Sequence, residues 1–407
     1  MAIENINGIA DAVTPELQAN LVELPPEAMV EGVTELNDGS AIVGDMEMES
    51  ETPIAIPFDA NLADHIDEDV LSEISSQLTG DIEDDTNSRS DWEEQYKSGL
   101  ELLGMTYEDR SEPFEGASGI VHPLLAESVT QFQAQAYREM LPAGGPVKTT
   151  IIGAETPEVM AQAERVKNYM NYQITYEMEE YDPELDQMLF YLPIVGSAFK
   201  KVYFDPNMQR AVSKFVHSED LIVPYNATDL ATATRITHCI RMDKNEIRKL
   251  QLSGFYKDID LPESGSDSDT MSDVKDTIND IEGITNGSSE NEEMMIYEVH
   301  TNLDIEGFED VGADGEPTGL KMPYIVTIME DSGDVLSIKR NFNESDPLRR
   351  KVPYFVHYKF LPGLGFYGFG LTHTIGGLSR ASTSILRQLI DAGTLSNLPA
   401  GFKARGA

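Results

Sequence analysis

Gly363, Gly365 and Gly368 satisfy GxGxxG, and Gly370 extends the run. The pattern falls between a strand candidate and a helix candidate, where a dinucleotide-binding turn would lie. Its chemistry would be backbone N–H groups closing on the phosphates of NAD, FAD or ATP. Three features oppose that reading. Phe366, Tyr367 and Phe369 crowd a loop whose glycines should admit phosphate, Pro362 precedes the first glycine, and no second βαβ unit follows. The alternative is a hinge-like turn that re-aims the chain, with its aromatics packed on a neighbour.

Other reactive types are scattered. His217, His238, His300 and His357 show no ligand spacing on one element. Cys239 is the only cysteine, which excludes an internal disulfide and a cysteine-rich zinc site. No GxxxxGK[ST] occurs, so a phosphate cradle of the ATPase type is not expected. Asp267, Asp269 and Asp273 do not fit the calcium-loop pattern. Pairs such as Asp84-Asp85 and Glu179-Glu180 read as solvated faces. No catalytic residue, metal or cofactor is expected.

The elements that would position these residues follow from periodicity. The longest is a helix from Leu371 to Asp391, about 30 Å at 1.5 Å per residue. Leu371, Ile375, Leu378, Ile385, Leu386 and Leu389 form its apolar stripe. Arg380 and Arg387, seven apart, share one side. Lys403 and Arg405 follow in a basic tail.

Upstream, residues 1–90 are acidic, thinly apolar and proline-punctuated, and are expected to be mostly disordered. A short amphipathic helix over Asp64 to Leu78 is an alternative for part of them. Ordered structure is expected from Asp91, an N-cap candidate for a helix carrying Trp92, Tyr96, Leu100 and Leu103. A second helix spans Pro123 to Leu141. A third starts at Pro157 with two stripes, Val159, Ala163, Val166, Met170 and Ile174, and Tyr169, Tyr172 and Tyr176. Those tyrosines read as core or interface.

The period turns extended at Ser197, giving a β-hairpin about Asp205-Pro206-Asn207, further strands, and a short helix after Asp243. Residues 261–291 read as a flexible acidic insertion. Residues 292–360 carry four strand candidates in a small β-rich module, with a turn at Asp331-Ser332-Gly333. The fold class is therefore α+β.

Composition bounds the partners. The 407 residues include 72 acidic and 29 basic ones, a formal charge of −43. Such a surface will not form a phosphate-gripping groove over most of its area. It suits a basic partner, or a surface meant to shed polyanions. No apolar run is long enough to span a bilayer, and no membrane partner is expected.

Several stretches resemble the portal (head-to-tail connector) proteins of short-tailed double-stranded DNA phages. They are GFYGFGL, IGGLSRASTSILRQLIDAGTLSNLP and GFKARG at the C-terminal end, WEEQYKSGLELLG, FEGASGIVHPLLAESVTQFQAQAYREMLP and SEDLIVPYNATDL. The resemblance covers Asp91 to Arg405.

It implies a non-enzymatic ring, normally of twelve copies, at one capsid vertex of the virion, made in the host cytoplasm. Double-stranded DNA would pass through it in packaging and ejection. The partners implied are the terminase large subunit, a tail adaptor, and coat and scaffold proteins. Residues 91–260 would be wing, 292–360 would include the clip, and 361–407 would hold the stem helix and the start of a channel segment. The sequence stops where such proteins usually continue into a crown. Arg380, Arg387, Lys403 and Arg405 would touch phosphates in the channel or carboxylates of the adjacent subunit. Twelve copies would carry roughly −500 formal charges, a wall that resists sticking to DNA. An acidic, non-enzymatic adaptor is a further alternative.

Overall fold

The computed structural model describes residues 33–35, 41–43, 56–105, 110–206, 208–262, 272–283, 293–312 and 316–397. The chain divides into two units, Met1–Pro57 and Phe58–Ala407. In the first, the described residues form an antiparallel pair, β1 (Val33–Glu35) and β2 (Ala41–Val43), with Thr34 opposite Ile42.

The second unit starts with helix α1 (Glu68–Asn87). Its buried residues are Leu71, Ser75, Leu78, Ile82 and Asp85, steps of four and three that trace one face of a helix. Ordered chain therefore begins well before Asp91. The amphipathic alternative over Asp64 to Leu78 contains the first part of this stripe, which runs on to Asp85, and polar rungs help to hold it. Ser75 donates to the Gly333 carbonyl. Arg235 pairs with Asp81 at 2.6 Å and with Asp85 at 2.7 Å. Just ahead of α1, the Asn61 side chain behaves like a missing strand. Its amide donates to Leu336 O at 3.2 Å and its carbonyl accepts from Ile338 N at 3.0 Å, covering a sheet edge.

Helices α2 (Ser90–Glu101), α3 (Leu124–Met140), α4 (Pro157–Tyr172) and α5 (Tyr181–Val195) follow. Thr156 caps α4 and Pro157 occupies its first turn, as its position suggests. A π-helical turn, Gln173–Glu177, continues it. Gly196, at φ 93°, ends α5 in the left-handed region that glycine enters freely.

All strand pairings are antiparallel. One sheet runs β10 (Phe355–Lys359), β3 (Ser197–Asp205), β4 (Arg210–Val216). The other runs β5 (Leu221–Ile222), β6 (Arg235–Asp243), β7 (Glu293–Leu303), β8 (Met322–Met329), β9 (Val335–Arg340). The expected hairpin is β3–β4, with Tyr203 opposite Val212. The short helix is α6 (Lys244–Leu252), entered from Asp243.

The β-rich stretch 292–360 does not stand apart as its own module. β7 pairs along its length with β6, and β10 pairs with β3, so both sheets mix residues from either side of the acidic insertion. Partner choice between strands is set by burial in three dimensions, which period alone does not carry. Nor is the insertion wholly exposed linker. Within it, α7 (Ser272–Glu282) buries Val274 and lays Ile278 and Ile281 on a helical core.

That core joins Tyr96, Leu100 and Leu103 of the α2 region to Leu125 and Val129 of α3 and Ile194 and Val195 of α5. Leu371 and Ile375, at the start of α8 (Leu371–Asn397), pack against it. Each such side chain contributes about 1.5–3 kcal/mol when fully buried.

Candidate functional site: the glycine turn, the long helix and the uncovered faces

The glycine turn is packed against protein backbone. A Cβ on Gly368 would lie under 3 Å from the carbonyls of Gly196 and Leu361, and one on Gly370 under 3 Å from Ile194 O and Gly196 N. Three of its amides are spent inside the fold. Gly368 N donates to Ser197 Oγ at 2.8 Å, Phe369 N to Leu361 O at 3.0 Å, and Gly370 N to His373 Nδ1 at 3.1 Å. The glycines admit the end of α5, leaving no cradle for phosphate at these amides. The aromatics pack as the second sequence reading holds. Phe366 is buried against Phe199 and His357, and Tyr367 stacks on Trp92 at 4.2 Å.

Arg89 bolts this turn to the body, and nothing in its sequence context marks it. It is 5 % exposed. Its guanidinium donates to the carbonyls of Leu221 (3.0 Å) and Glu219 (2.6 Å), reaches Tyr367 Oη at 3.5 Å, and pairs with Glu93 at 2.8 Å. An arginine can serve this many acceptors because its fork offers five donors.

Helix α8 has 27 residues, about 40 Å, longer than its stripe suggests. It is inverted relative to a core helix. The face turned to the body carries Gly376, Ser379, Thr383 and Asp391, all buried. Three side chains at four-residue steps grip the backbone of residues 118–122. Thr383 Oγ1 accepts from His122 N at 3.0 Å, Arg387 donates to Ile120 O at 2.7 Å and Gly119 O at 3.3 Å, and Asp391 accepts from Ser118 N at 2.8 Å. Arg380 donates to Ser98 Oγ. Of the predicted stripe, Leu371 and Ile375 reach the core, while Leu378, Ile385 and Leu389 are 61 %, 65 % and 69 % exposed. Arg380 and Arg387 are thus on the body side of the helix. Lys403 and Arg405 lie outside the described residues.

Helix α4 buries no residue. Val159, Val166 and Met170 of one stripe are exposed, as are Tyr169, Tyr172 and Tyr176, the last two stacked at 5.7 Å. Among the described contacts its tie to the body is Asn171, which brackets Val147 N at 2.9 Å and Val147 O at 3.3 Å.

A buried polar cluster joins the two sheets. Lys201 Nζ lies 2.6 and 2.7 Å from the carboxylate oxygens of Glu298, and His300 Nε2 lies 2.8 Å from Glu298 Oε1. Burial opposes the Glu298 charge, yet Lys201 and His300 hold its carboxyl well below the usual range. Burial pushes the neighbouring His238 down to about 3 and lowers His300. The arrangement is a closed ion pair fastening β3 to β7. Among the described residues no group of His, Cys, Asp and Glu could hold a metal ion, and no helix is long and apolar enough to cross a membrane.

An α+β chain whose glycine turn is closed on itself, and whose longest helix turns leucines outward, has the form of an assembly subunit. Comparison with known families makes that class specific: it is a phage portal. The chain belongs to the family described as Phage SU10 portal protein, which matches residues 205–407. The match opens on the last residue of β3 and includes α8. No curated protein matches the chain.

Proposed function

We propose that this chain is one stave of a portal ring at a capsid vertex, about twelve copies around a channel for double-stranded DNA. The observation that carries the reading is uncovered apolar surface on two helices. A 16-residue helix that buries nothing gains little from its own chain, and isolated helices of that length are marginal in water. The outward row of α8, Leu378, Ile385 and Leu389, is interspersed with Ala381, Ser384, Gln388 and Ala392 and carries no charge, in a chain of net −43. Faces of this kind mark contact surfaces, and two different faces on one chain allow a head-to-tail interface that closes into a ring.

In this reading the helices and the β3–β4 hairpin form the wing, α8 is the stem strut, and the clip lies within residues 292–360. The terminase large subunit and tail adaptor dock there in turn, during packaging and ejection, and coat and scaffold proteins surround the wing. The chain does no chemistry of its own. Its acidic wall keeps DNA from adhering. Arg380, Arg387, Lys403 and Arg405 meet passing phosphate or a neighbour's carboxylate, Arg387 while also holding its own loop. A nucleotide-cofactor enzyme is opposed by the spent amides of the glycine turn, and an acidic adaptor by the apolar faces.

The test is particle size. Light scattering and negative-stain images of the full-length chain should show rings. A monodisperse single copy at tens of micromolar would overturn the proposal.

A further inference from the structure

Gly376 and Gly377 sit inside α8, where glycine weakens a helix relative to alanine. Space does not demand them. A Cβ on Gly377 would meet nothing within 4 Å, and one on Gly376 would make ordinary contacts, 3.5 Å to Leu102 and 3.8 Å to Thr372. Neither has a positive φ. Two adjacent glycines with no steric or conformational reason mark a point where the helix is meant to give.

The fastening of α8 changes character at this point. Before the pair, Leu371 and Ile375 are set in the helical core, Thr372 donates to Ile194 O at 2.9 Å, and the glycine turn is wedged against α5. After it, the hold is polar: Arg380 on Ser98, then Thr383, Arg387 and Asp391 on the backbone of residues 118–122. Bonds to backbone groups can be exchanged for water at small net cost. At the junction Ser379 is fully buried, and its hydroxyl has no partner among the described residues. A stranded hydroxyl is the part of a clasp most easily given up.

We propose that Gly376–Gly377 is a hinge, and that Thr383, Arg387 and Asp391 are the latch holding residues 378–397 of α8 in the observed direction. Opening the latch swings this outer arm as a rigid rod, while residues 371–375 stay in the core. The 19 helical steps from Gly377 to Ser396 span about 28 Å, so a swing of about 20° carries the tip roughly 10 Å. The hinge belongs to the single chain and stands apart from the ring reading, since assembly is scored by particle size and the hinge by spacing within one copy.

The experiment places spin labels on the full-length chain at Ser396→Cys and Leu252→Cys in a Cys239→Ser background, diluted so that labelled copies are isolated. Double electron–electron resonance then reads the spacing. The native latch should give one narrow distance distribution. Thr383→Val with Asp391→Ala, which removes both acceptors, should broaden it by the order of 10 Å, while a control pair, Thr374→Cys with Leu252→Cys, stays narrow. Adding Gly376→Ala and Gly377→Ala should restore the narrow distribution. A narrow distribution in the latch variant overturns the proposal, as does a broad one that the alanines leave unchanged, or a control pair that broadens equally. If the double latch variant loses its circular-dichroism melt, Asp391→Ala alone takes its place with the same readout and the same deciding results.

Discussion

Lys201 and Glu298 meet head-on, Nζ 2.6 and 2.7 Å from the two carboxylate oxygens, and in doing so join the three-stranded sheet to the five-stranded one. Around them the imidazoles of His238 and His300 are kept neutral by burial. Lys214 is a further cation acting on His238, and Lys351 on His300.

This cluster makes the fold acid-sensitive. His238, and likewise His357, is pushed down to about 3 by burial, against about 6.5 in an unfolded chain. Between those values the unfolded state binds more protons, so stability falls as pH drops through that window. The depressed Glu298 carboxyl adds a loss at lower pH, as it protonates. Urea midpoints should be level near pH 7–8 and decline below about 6.5, and His238→Gln should flatten the decline. A midpoint unchanged down to pH 5 would contradict this account.

Arg89→Ala should destabilise the chain by about 3 kcal/mol or more. It removes the donor to the Leu221 and Glu219 carbonyls and one ion-pair partner of Glu93. Arg89→Lys should recover only part, since an ammonium cannot fork to several acceptors. Calorimetry reads both, and a loss below about 1 kcal/mol for the alanine variant would mean that water fills the site.

Two glycines of one motif should behave oppositely. Gly368→Ala drives a methyl into the Gly196 and Leu361 carbonyls and should cost more than about 2 kcal/mol. Gly365→Ala meets nothing within 4 Å and should stay within about 0.5 kcal/mol of the parent. NAD, FAD and ATP at millimolar concentration should not move the melting point. A clear upward shift with any of them would return the turn to phosphate binding.

Ile385→Asp, Leu389→Asp and Tyr176→Ser should leave the melting of a single copy within about 1 kcal/mol, because these side chains are already exposed. The same variants should abolish large particles in light scattering. Retained assembly in all three would place the contacts elsewhere.

Much of this fold could be read from period. The hairpin, the capped α4 and the strands from β7 to β10 follow from alternation, turn residues and a first-turn proline. The GxGxxG was also resolvable, because its aromatics argued against phosphate. Three things were hidden for physical reasons. An apolar stripe looks the same whether its own chain or another copy covers it, so the stripe of α8 does not tell which of its leucines face the body. Strand pairing across residues 261–291 depends on which faces are buried together, so β6–β7 left no local signature. Arg89 and Ser75 act through backbone carbonyls distant in sequence, and a carbonyl has no residue type to recognise.

Helix α4 carries a consequence for how such particles are made. A segment that its own subunit does not shelter reaches its full order only when a companion arrives, so joining and folding are one event there. Dilution should loosen it and crowded synthesis should firm it up. In the proposed ring, the order of this helix would thereby report how many siblings are at hand before a container is begun.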